Sequence, residues 1–407
     1  EIKEDGDPTW LAYVLHAYPG AVVAGDPVPP YVASAWPRRR AEEPLVIPEV
    51  VWTEDHNPGS LLRAEYQVVP FHGRDREVEE LYSWCLGSKQ CRVRLCTGAG
   101  GMGKTRLALE LCRILRHEGW LAGLVRGGSL KEESFDPVAV WHGLERSGQP
   151  LLIVVDYADT RSRHLVALLR EALSSPGTKV RFLLLARAEG YWWEILKGEG
   201  EGVGDLLSGR NTRVAPLLPL AMSPEDRGRS YGMATRAFAD VLGRPRTDTH
   251  PEDLEAEHYS RVLLLHMSAL AAVQGRGQMG RDAILSFVLA RERSFWKKRI
   301  DTHGLPPTFL RGLERAMAAI TLIEGVTSQA EAVEILEQLR FFEKNPRDLL
   351  IGAADLLREC YPGGEDLWIE PLRPDLVGEY LVMSQSRDPR DRAELLQIAF
   401  GPQGPPS

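Results

Sequence analysis

The five cysteines, Cys85, Cys91, Cys96, Cys112 and Cys360, are odd in number and form no Cys-x-x-Cys pair. They therefore offer neither an evenly paired disulfide framework nor a zinc clip, and they suit a reducing compartment, so a cytoplasmic location is expected. Long apolar runs are scarce as well. The strongest, Val262 to Val273, contains His266 and falls short of the roughly 20 residues needed to cross a bilayer. No secretory signal is legible, and no membrane partner is expected. Positive charge is in deficit: 49 Lys and Arg face 57 Asp and Glu, a net charge of -8, so no global field favours nucleic acid. The ten histidines show no metal-ligand spacing, no Ser/His/Asp set is recognisable, and no internal repeat of about 30 to 45 residues is visible. With 43% hydrophobic and 26% charged residues the chain is globular, and its 407 residues favour two or three domains. It begins at Glu1 and ends in Gly401-Pro-Gln-Gly-Pro-Pro-Ser407, which reads as a piece cut from a longer or processed protein.

Residues 1–65 are rich in Pro and Trp and lack a period, and read as a linker or the end of an upstream domain. Within them Trp10 to Tyr18 suits a short helix and Ala33 to Pro48 an extended connector. From Phe71 the pattern sharpens. Strand runs at Val93–Thr97, Leu121–Val125, Leu151–Val155, Val180–Ala186 and Val214–Leu220 alternate with helical spacing at 104–117, 138–147 and 165–173. The run Leu-Leu-Ile-Val-Val ending at Val155 is apolar on both faces, the mark of a covered parallel strand. Beyond Ser223 the spacing is helical over 224–242, 252–274, 279–300, 307–320, 329–340, 347–360 and 374–383, with Leu367–Leu372 as one arm of a small hairpin. The expected fold is α/β, a parallel sheet over 66–222, followed by a helical domain over 223–320, a winged-helix-like domain over 321–385 and a C-terminal linker over 386–407.

Gly98-Ala-Gly-Gly-Met-Gly-Lys-Thr105 matches the P-loop pattern G-x-x-x-x-G-K-[ST] in full and lies between a strand and a helix, the context that confirms it. Glycines allow successive backbone N–H groups to face phosphate oxygens, and the helix N-terminus adds its dipole to that anion site. Lys104 is placed to reach the β- and γ-phosphates and Thr105 to ligate Mg²⁺. Asp156 follows a buried strand, where ligands collect in open α/β sheets, and suits either the acid that holds Mg²⁺ or a helix cap. Asp159 suits the orientation of an attacking water or the capping of the next helix. Arg187, at the end of Val180–Ala186, suits either a γ-phosphate sensor or a surface ion pair. Gly73-Arg74 alone is a weak signal that a plain turn would also explain. Trp192-Trp193 reads as a packing anchor.

The order of these elements resembles the STAND class of signal-transduction P-loop ATPases from about Leu61 to Met383. Phe71-His-Gly-Arg74 with Glu77 and Leu81, Val154-Val-Asp-Tyr-Ala-Asp-Thr-Arg161, Leu183 to Trp193, Leu289 to Trp296 and Arg373-Pro-Asp-Leu-Val-Gly-Glu-Tyr380 are similar to segments of its bacterial, NB-ARC- or NACHT-like members, often fused to tetratricopeptide repeats. The resemblance implies that Arg74 lies near the adenosine half of a nucleotide. It further implies a closed diphosphate form whose exchange to the triphosphate rearranges the later domains and lets protomers assemble into a homo-oligomer. Sensor repeats would follow Ser407 and an effector precede Glu1. Two positions depart from the class: Val262 stands where many members have a Pro over adenine, and Tyr157 follows Asp156, leaving Asp159 as a displaced second acid.

The candidate catalytic residues are thus Lys104, Asp156, Asp159 and Arg187. The candidate nucleotide-binding residues are Gly73, Arg74, Gly98, Ala99, Gly100, Gly101, Met102, Gly103, Lys104, Thr105 and Arg106. Thr105 and Asp156 are the candidate metal ligands, and the expected cofactors are ATP or ADP with Mg²⁺. A weakly hydrolysing ATP switch in bacterial defence or signalling is expected. The alternatives are a nucleotide-binding regulatory module without turnover, such as a transcription regulator, and a motor ATPase with steady turnover. Against DNA contact, Pro346 to Leu381 holds eight Asp/Glu but only Arg347, Arg358 and Arg373 as basic residues.

Overall fold

The computed structural model describes residues 45–48, 51–125, 136–175, 177–200, 202–210, 212–220, 223–246, 251, 253–277, 279–363 and 367–401. The helix expected at Trp10–Tyr18 and most of the connector expected at Ala33–Pro48 lie outside these residues. The described chain forms two compact units, one of residues 45–295 with 373–380, the other of residues 296–372 with the segment from 381 onward.

The larger unit is built on a six-stranded sheet in the order β1-β3-β4-β5-β2-β6. Its strands are β1 (Leu45–Val46), β2 (Cys91–Thr97), β3 (Leu121–Val125), β4 (Leu151–Val155), β5 (Val180–Ala186) and β6 (Thr212–Pro216). Neighbours among β2 to β6 are parallel, in registers such as Thr97↔Ala186, Val155↔Leu184 and Thr97↔Pro216. Every residue of β4 and β5 is buried, as continuous apolar runs require when both faces of a strand are covered. β1 corrects the expectation of plain linker at Ala33–Pro48: Leu45 and Val46 pair antiparallel with Val125 and Leu124. Two residues carry no readable period, so this edge strand left no signal. The last strand spans 212–216 instead of Val214–Leu220; beyond it, Leu217 still donates its N–H to Thr97 O at 2.7 Å.

Helices cover both faces. α1 (Asp75–Leu86) and α2 (Lys104–His117) pack one of them through Leu81, Trp84, Leu107, Leu111 and Leu115. α3 (Pro137–Glu145), α4 (Ser162–Ser174), α5 (Gly190–Lys197) and α6 (Val203–Ser208) pack the other through Trp141, Leu165, Leu169, Trp193 and Leu206. Trp193 is fully buried, as expected of a packing anchor. α7 (Pro224–Val241), α8 (Val262–Val273) and α9 (Arg281–Thr302) follow. Ser223 caps α7 by accepting from Asp226 N at 3.1 Å, with Pro224 in the first turn where its missing N–H is harmless.

The smaller unit holds α10 (Phe309–Leu322), α11 (Gln329–Gln338), α12 (Arg347–Cys360) and α14 (Pro389–Phe400), while α9 and α13 (Asp375–Gln385) each divide between the two units. Its interior includes Trp296, whose Nε1 donates to Tyr361 Oη at 2.7 Å, and an edge-to-face pair of Phe309 and Phe342. The hairpin arm expected at Leu367–Leu372 is reduced to single bridges of Ile369 with Val326 and with Pro362. The segment from 386 onward is not all linker. Asp388 caps α14, and Arg315 and Arg340 hold it through Asp391 and Glu394, with Arg340 Nε at 3.0 Å from Glu394 Oε1.

Gly312 of α10 faces Phe341 and Phe342, and a Cβ there would lie 2.4 Å from both rings. Gly312→Ala gains about 1 kcal/mol in helix propensity. Overpacking a closed site costs about 1–3 kcal/mol, and the buried Phe342 ring, packed edge-to-face on both Phe309 and Phe341, has little room to yield. The substitution is expected to lower stability on balance, measured by denaturant unfolding followed through helix content.

Candidate nucleotide site

The glycine loop joins the C-terminal end of β2 to α2, so it opens at the sheet edge where β4 and β5 also end. Gly98 N–H is shared between Ala186 O and Arg187 O, both at 3.2 Å, which ties the loop to the end of β5. Gly101 and Gly103 have φ of 79° and 91°, left-handed values that side chains rarely tolerate. Gly103 is the N-cap of α2, so Lys104 and Thr105 stand in its first turn, beside its unpaired N–H groups.

Lys104 Nζ donates to Gly98 O and, at 3.2 Å, to Ala99 O, curling over its own loop. Burial pulls its pKa below the ordinary lysine value, though Asp156 opposes this. Thr105 Oγ1 donates to Asp156 Oδ2 at 2.8 Å, and Asp156 Oδ1 accepts Tyr157 N–H at 3.0 Å. Burial raises the Asp156 pKa, while the Thr105 hydrogen bond and Lys104 work against it. β5 separates β2 from β4, so strand ends two places apart meet above the sheet edge. A hydroxyl and a carboxylate side by side are hard oxygen donors that suit Mg²⁺, which commonly takes its remaining ligands from phosphate and water. Among the described residues no three His, Cys, Asp or Glu side chains form a metal cage by themselves.

Asp159 lies just beyond, 7% exposed, in a short 3₁₀ turn. Its Oδ1 is buried and has no hydrogen-bond partner among the described residues. Burial pushes its pKa up to about 6, despite the opposing backbone N–H groups of Asp159 and Arg187. Arg187 also reaches this edge but is engaged there. Its Nη2 pairs closely with Glu379 and lies 3.5 Å from Asp375 Oδ2, both on α13. Burial alone would lower the Arg187 pKa, but the carboxylates of Glu379 and Asp375 raise it on balance. Tyr157, in the left-handed region at φ 54°, donates its hydroxyl to Asp375 at 2.9 Å. Arg373 pairs with Asp375 and stacks 4.5 Å from the Tyr157 ring centre.

The remaining candidates fall in different places. Arg74 is 4% exposed and donates to Met102 O at 3.2 Å, bracing the glycine loop from outside it, with Glu77 as its ion partner. Gly73 forms a turn at φ 69° beside Leu220. Met102 is 8% exposed and packs in the core, so its backbone alone serves the loop. Arg106 reaches Val69 O at 2.9 Å and lies over the Phe71 ring, with its Nη1 unpaired. Val262, the departure noted in the sequence, sits 3.7 Å from the Cβ position of Gly103, and Leu263 N–H donates to Gly101 O at 3.1 Å. The acids of α13 are the residues that motif reasoning missed. They lie 188 and 192 residues from Arg187, and the only signal was the Arg373–Tyr380 segment, read as a similarity without a role.

No protein-family model and no curated protein matches this chain. Among solved structures it is similar to the ORC2 protein of Aeropyrum pernix, at 14% identity over 79% of this chain and 98% of that one, with a TM-score of 0.34. A Walker-type ATPase of Pyrococcus abyssi has 15% identity over 76% and 95% of the two chains and a TM-score of 0.35. PCH-2 of C. elegans has 16% identity over 54% and 62%, at 0.28. Scores this low carry no functional argument. The P-loop NTPase fold rests on the glycine motif itself, seated between a parallel strand and a helix, with Asp156 hydrogen-bonded to Thr105.

The Asp159 carboxyl has a folded pKa above its unfolded value of 3.8. Its neutral form therefore favours folding at low pH, and that contribution is lost as pH rises through about 6. Asp159→Asn is expected to match the native protein near pH 4 and to exceed it in stability by up to about 3 kcal/mol at pH 8. Thermal melts across that pH range check this; a gain that grew toward acid would contradict it.

Proposed function

We propose that this protein is an ATP-binding, slowly hydrolysing switch of the STAND signalling class, whose ADP/ATP exchange controls domain rearrangement and oligomerisation, with bacterial defence or signalling as its setting. The observation that carries the reading is the pairing of Arg187 with Glu379 and Asp375. An arginine at the P-loop edge that is already held by a helix far along the chain links nucleotide occupancy to that helix.

In this reading the amides of Gly100 to Lys104 and the Lys104 ammonium take the β- and γ-phosphates. Thr105 and Asp156 would hold Mg²⁺, which neutralises charge shared between those phosphates. Arg74 keeps the loop in shape through Met102 O, and Val262 borders the adenosine side. Arg187 distinguishes tri- from diphosphate by moving from the α13 carboxylates to the terminal phosphate. Shifting an equilibrium from 1:99 to 99:1 takes about 5.5 kcal/mol of differential binding. Charge-assisted hydrogen bonds contribute roughly 1.5–3 kcal/mol each, so a few contacts to one phosphoryl group suffice. Slow hydrolysis follows from Tyr157, whose hydroxyl is committed to Asp375, and leaves Asp159 to orient water. The division into a P-loop domain at 66–222, a helical domain at 223–320 and a winged-helix-like domain at 321–385 belongs to the same proposal; the helices α10, α11 and α12 with the Ile369 bridges support its last part. A regulatory module that binds nucleotide without turnover is the alternative, favoured by the same engagement of Tyr157.

Two measurements test this. Lys104→Ala is expected to weaken triphosphate binding about 10- to 100-fold. Glu379→Gln removes a competitor for Arg187, and should raise affinity for a non-hydrolysable ATP analogue about tenfold while leaving ADP unchanged. Equal changes for both nucleotides, or none, would reject the link between Arg187 and the terminal phosphate. Phosphate release then separates switch from module: slow turnover supports the first, and its complete absence in the presence of Mg²⁺ the second.

A further inference from the structure

Arginines gather on the sheet far from the glycine loop. Arg92 and Arg94 lie on the same face of β2, and Arg213 of β6 is the direct cross-strand neighbour of Arg94. Arg94 is four residues before Gly98, about 13 Å along an extended strand. With Arg76, Glu79, Glu80, Ser83 and Trp84 of α1, these side chains line an open cleft of about 480 Å³.

Like charges on directly opposed strand positions are destabilising, and more so when one is buried. Arg94 is 6% exposed. Burial and the facing Arg213 both pull its pKa below the ordinary arginine value. The cleft's own carboxylates do not resolve the conflict. Glu80 divides its two oxygens between Arg76 and Arg94, each at 3.3 Å, and Glu79 pairs with neither β-strand arginine. Arg213 is exposed and forms no ion pair among the described residues. Arg92 uses Nη1 on the Trp84 carbonyl at 3.3 Å, while its Nε and the Trp84 indole N–H find no partner among the described residues. Arg181, by contrast, is fully buried but explained: it donates to the carbonyls of Trp84, Cys85, Gly87, Gln90 and Val180, closing the end of α1. The four arginines of the cleft exceed its two glutamates by two positive charges.

We propose that this cleft is a second anion site, which binds a small phosphate monoester between Arg94 and Arg213, with the Ser83 hydroxyl at its rim. A phosphate dianion matches the excess charge and brings several acceptor oxygens. Arginine forks engage such oxygens in pairs, where a lone carboxylate already shared by Arg76 and Arg94 cannot serve a further guanidinium. The volume lies in the range of small-ligand pockets and is too open to bury a large apolar body. The site is independent of the nucleotide reading, since none of its residues belongs to the glycine loop.

The test uses the full chain carrying Lys104→Ala, so that phosphate at the P-loop is suppressed. Inorganic phosphate and glycerol 3-phosphate are titrated calorimetrically at about 150 mM salt, where surface attraction is screened. One-site saturable binding of glycerol 3-phosphate is expected. It should fall at least about tenfold on adding Arg213→Ala, and less on adding Arg213→Lys, which keeps charge but loses the fork. Ser83→Glu, at an exposed rim position, should abolish it through repulsion. The absence of saturable binding, or binding undiminished by Arg213→Ala, would overturn the proposal. Thermal melts confirm that each variant is folded, and Ser83→Glu provides the reading if Arg213→Ala is not.

Discussion

The hydrogen bond from Thr105 to Asp156 brings together two strands that are not neighbours in the sheet. It requires that β2, β4 and β5 end near one another at the same edge, and the parallel register achieves this by pairing Thr97 with Ala186 and Val155 with Leu184, so that β4 stops two residues short of the other two. Slipping one strand by a single residue would turn each of its side chains to the other face and carry the polar ends apart. In β4 and β5 that slip is resisted by close packing on both faces, where displaced side chains would no longer fit the helices that cover them. The apolar interior of the sheet thereby sets the spacing of the charged groups above it.

The same edge is crowded with charge, and its partners are distributed in an orderly way. Asp156 faces Thr105, Arg187 faces Glu379, and Asp375 is shared between Tyr157 and Arg373. Buried charges are tolerable when paired and costly when stranded. Withdrawing α13 from Arg187 would therefore leave an acid and a guanidinium both seeking partners, a condition that a bound polyphosphate relieves only for the guanidinium. Asp159, with one oxygen lacking any partner, is the one acid of this edge left in an unresolved position.

Much of this was legible in the sequence because it depends on local pattern. The glycine loop is a contiguous motif, and continuous apolar runs located β4 and β5 with their following residues Asp156 and Arg187. Arg74 lies against the same loop, where it donates to the carbonyl of Met102. What escaped was either too short or too distant. β1 is only two residues long, α14 lies in a segment whose prolines suggested linker, and the hairpin at Leu367–Leu372 shrank to bridges around Ile369. The α13 carboxylates engage Arg187 across most of the chain, a relation that spacing cannot encode. Arg106 shows the limit in another way: its side chain meets Val69 O and the Phe71 ring, a contact that no local pattern announces.

The lysine of the glycine loop has acceptors within the loop itself. Its ammonium is satisfied by the carbonyls of Gly98 and Ala99, so any incoming anion enters by substitution, displacing acceptors already in place. Replacing two carbonyls at one ammonium asks for at least two acceptor atoms held a fixed distance apart, a demand that a monatomic ion does not meet.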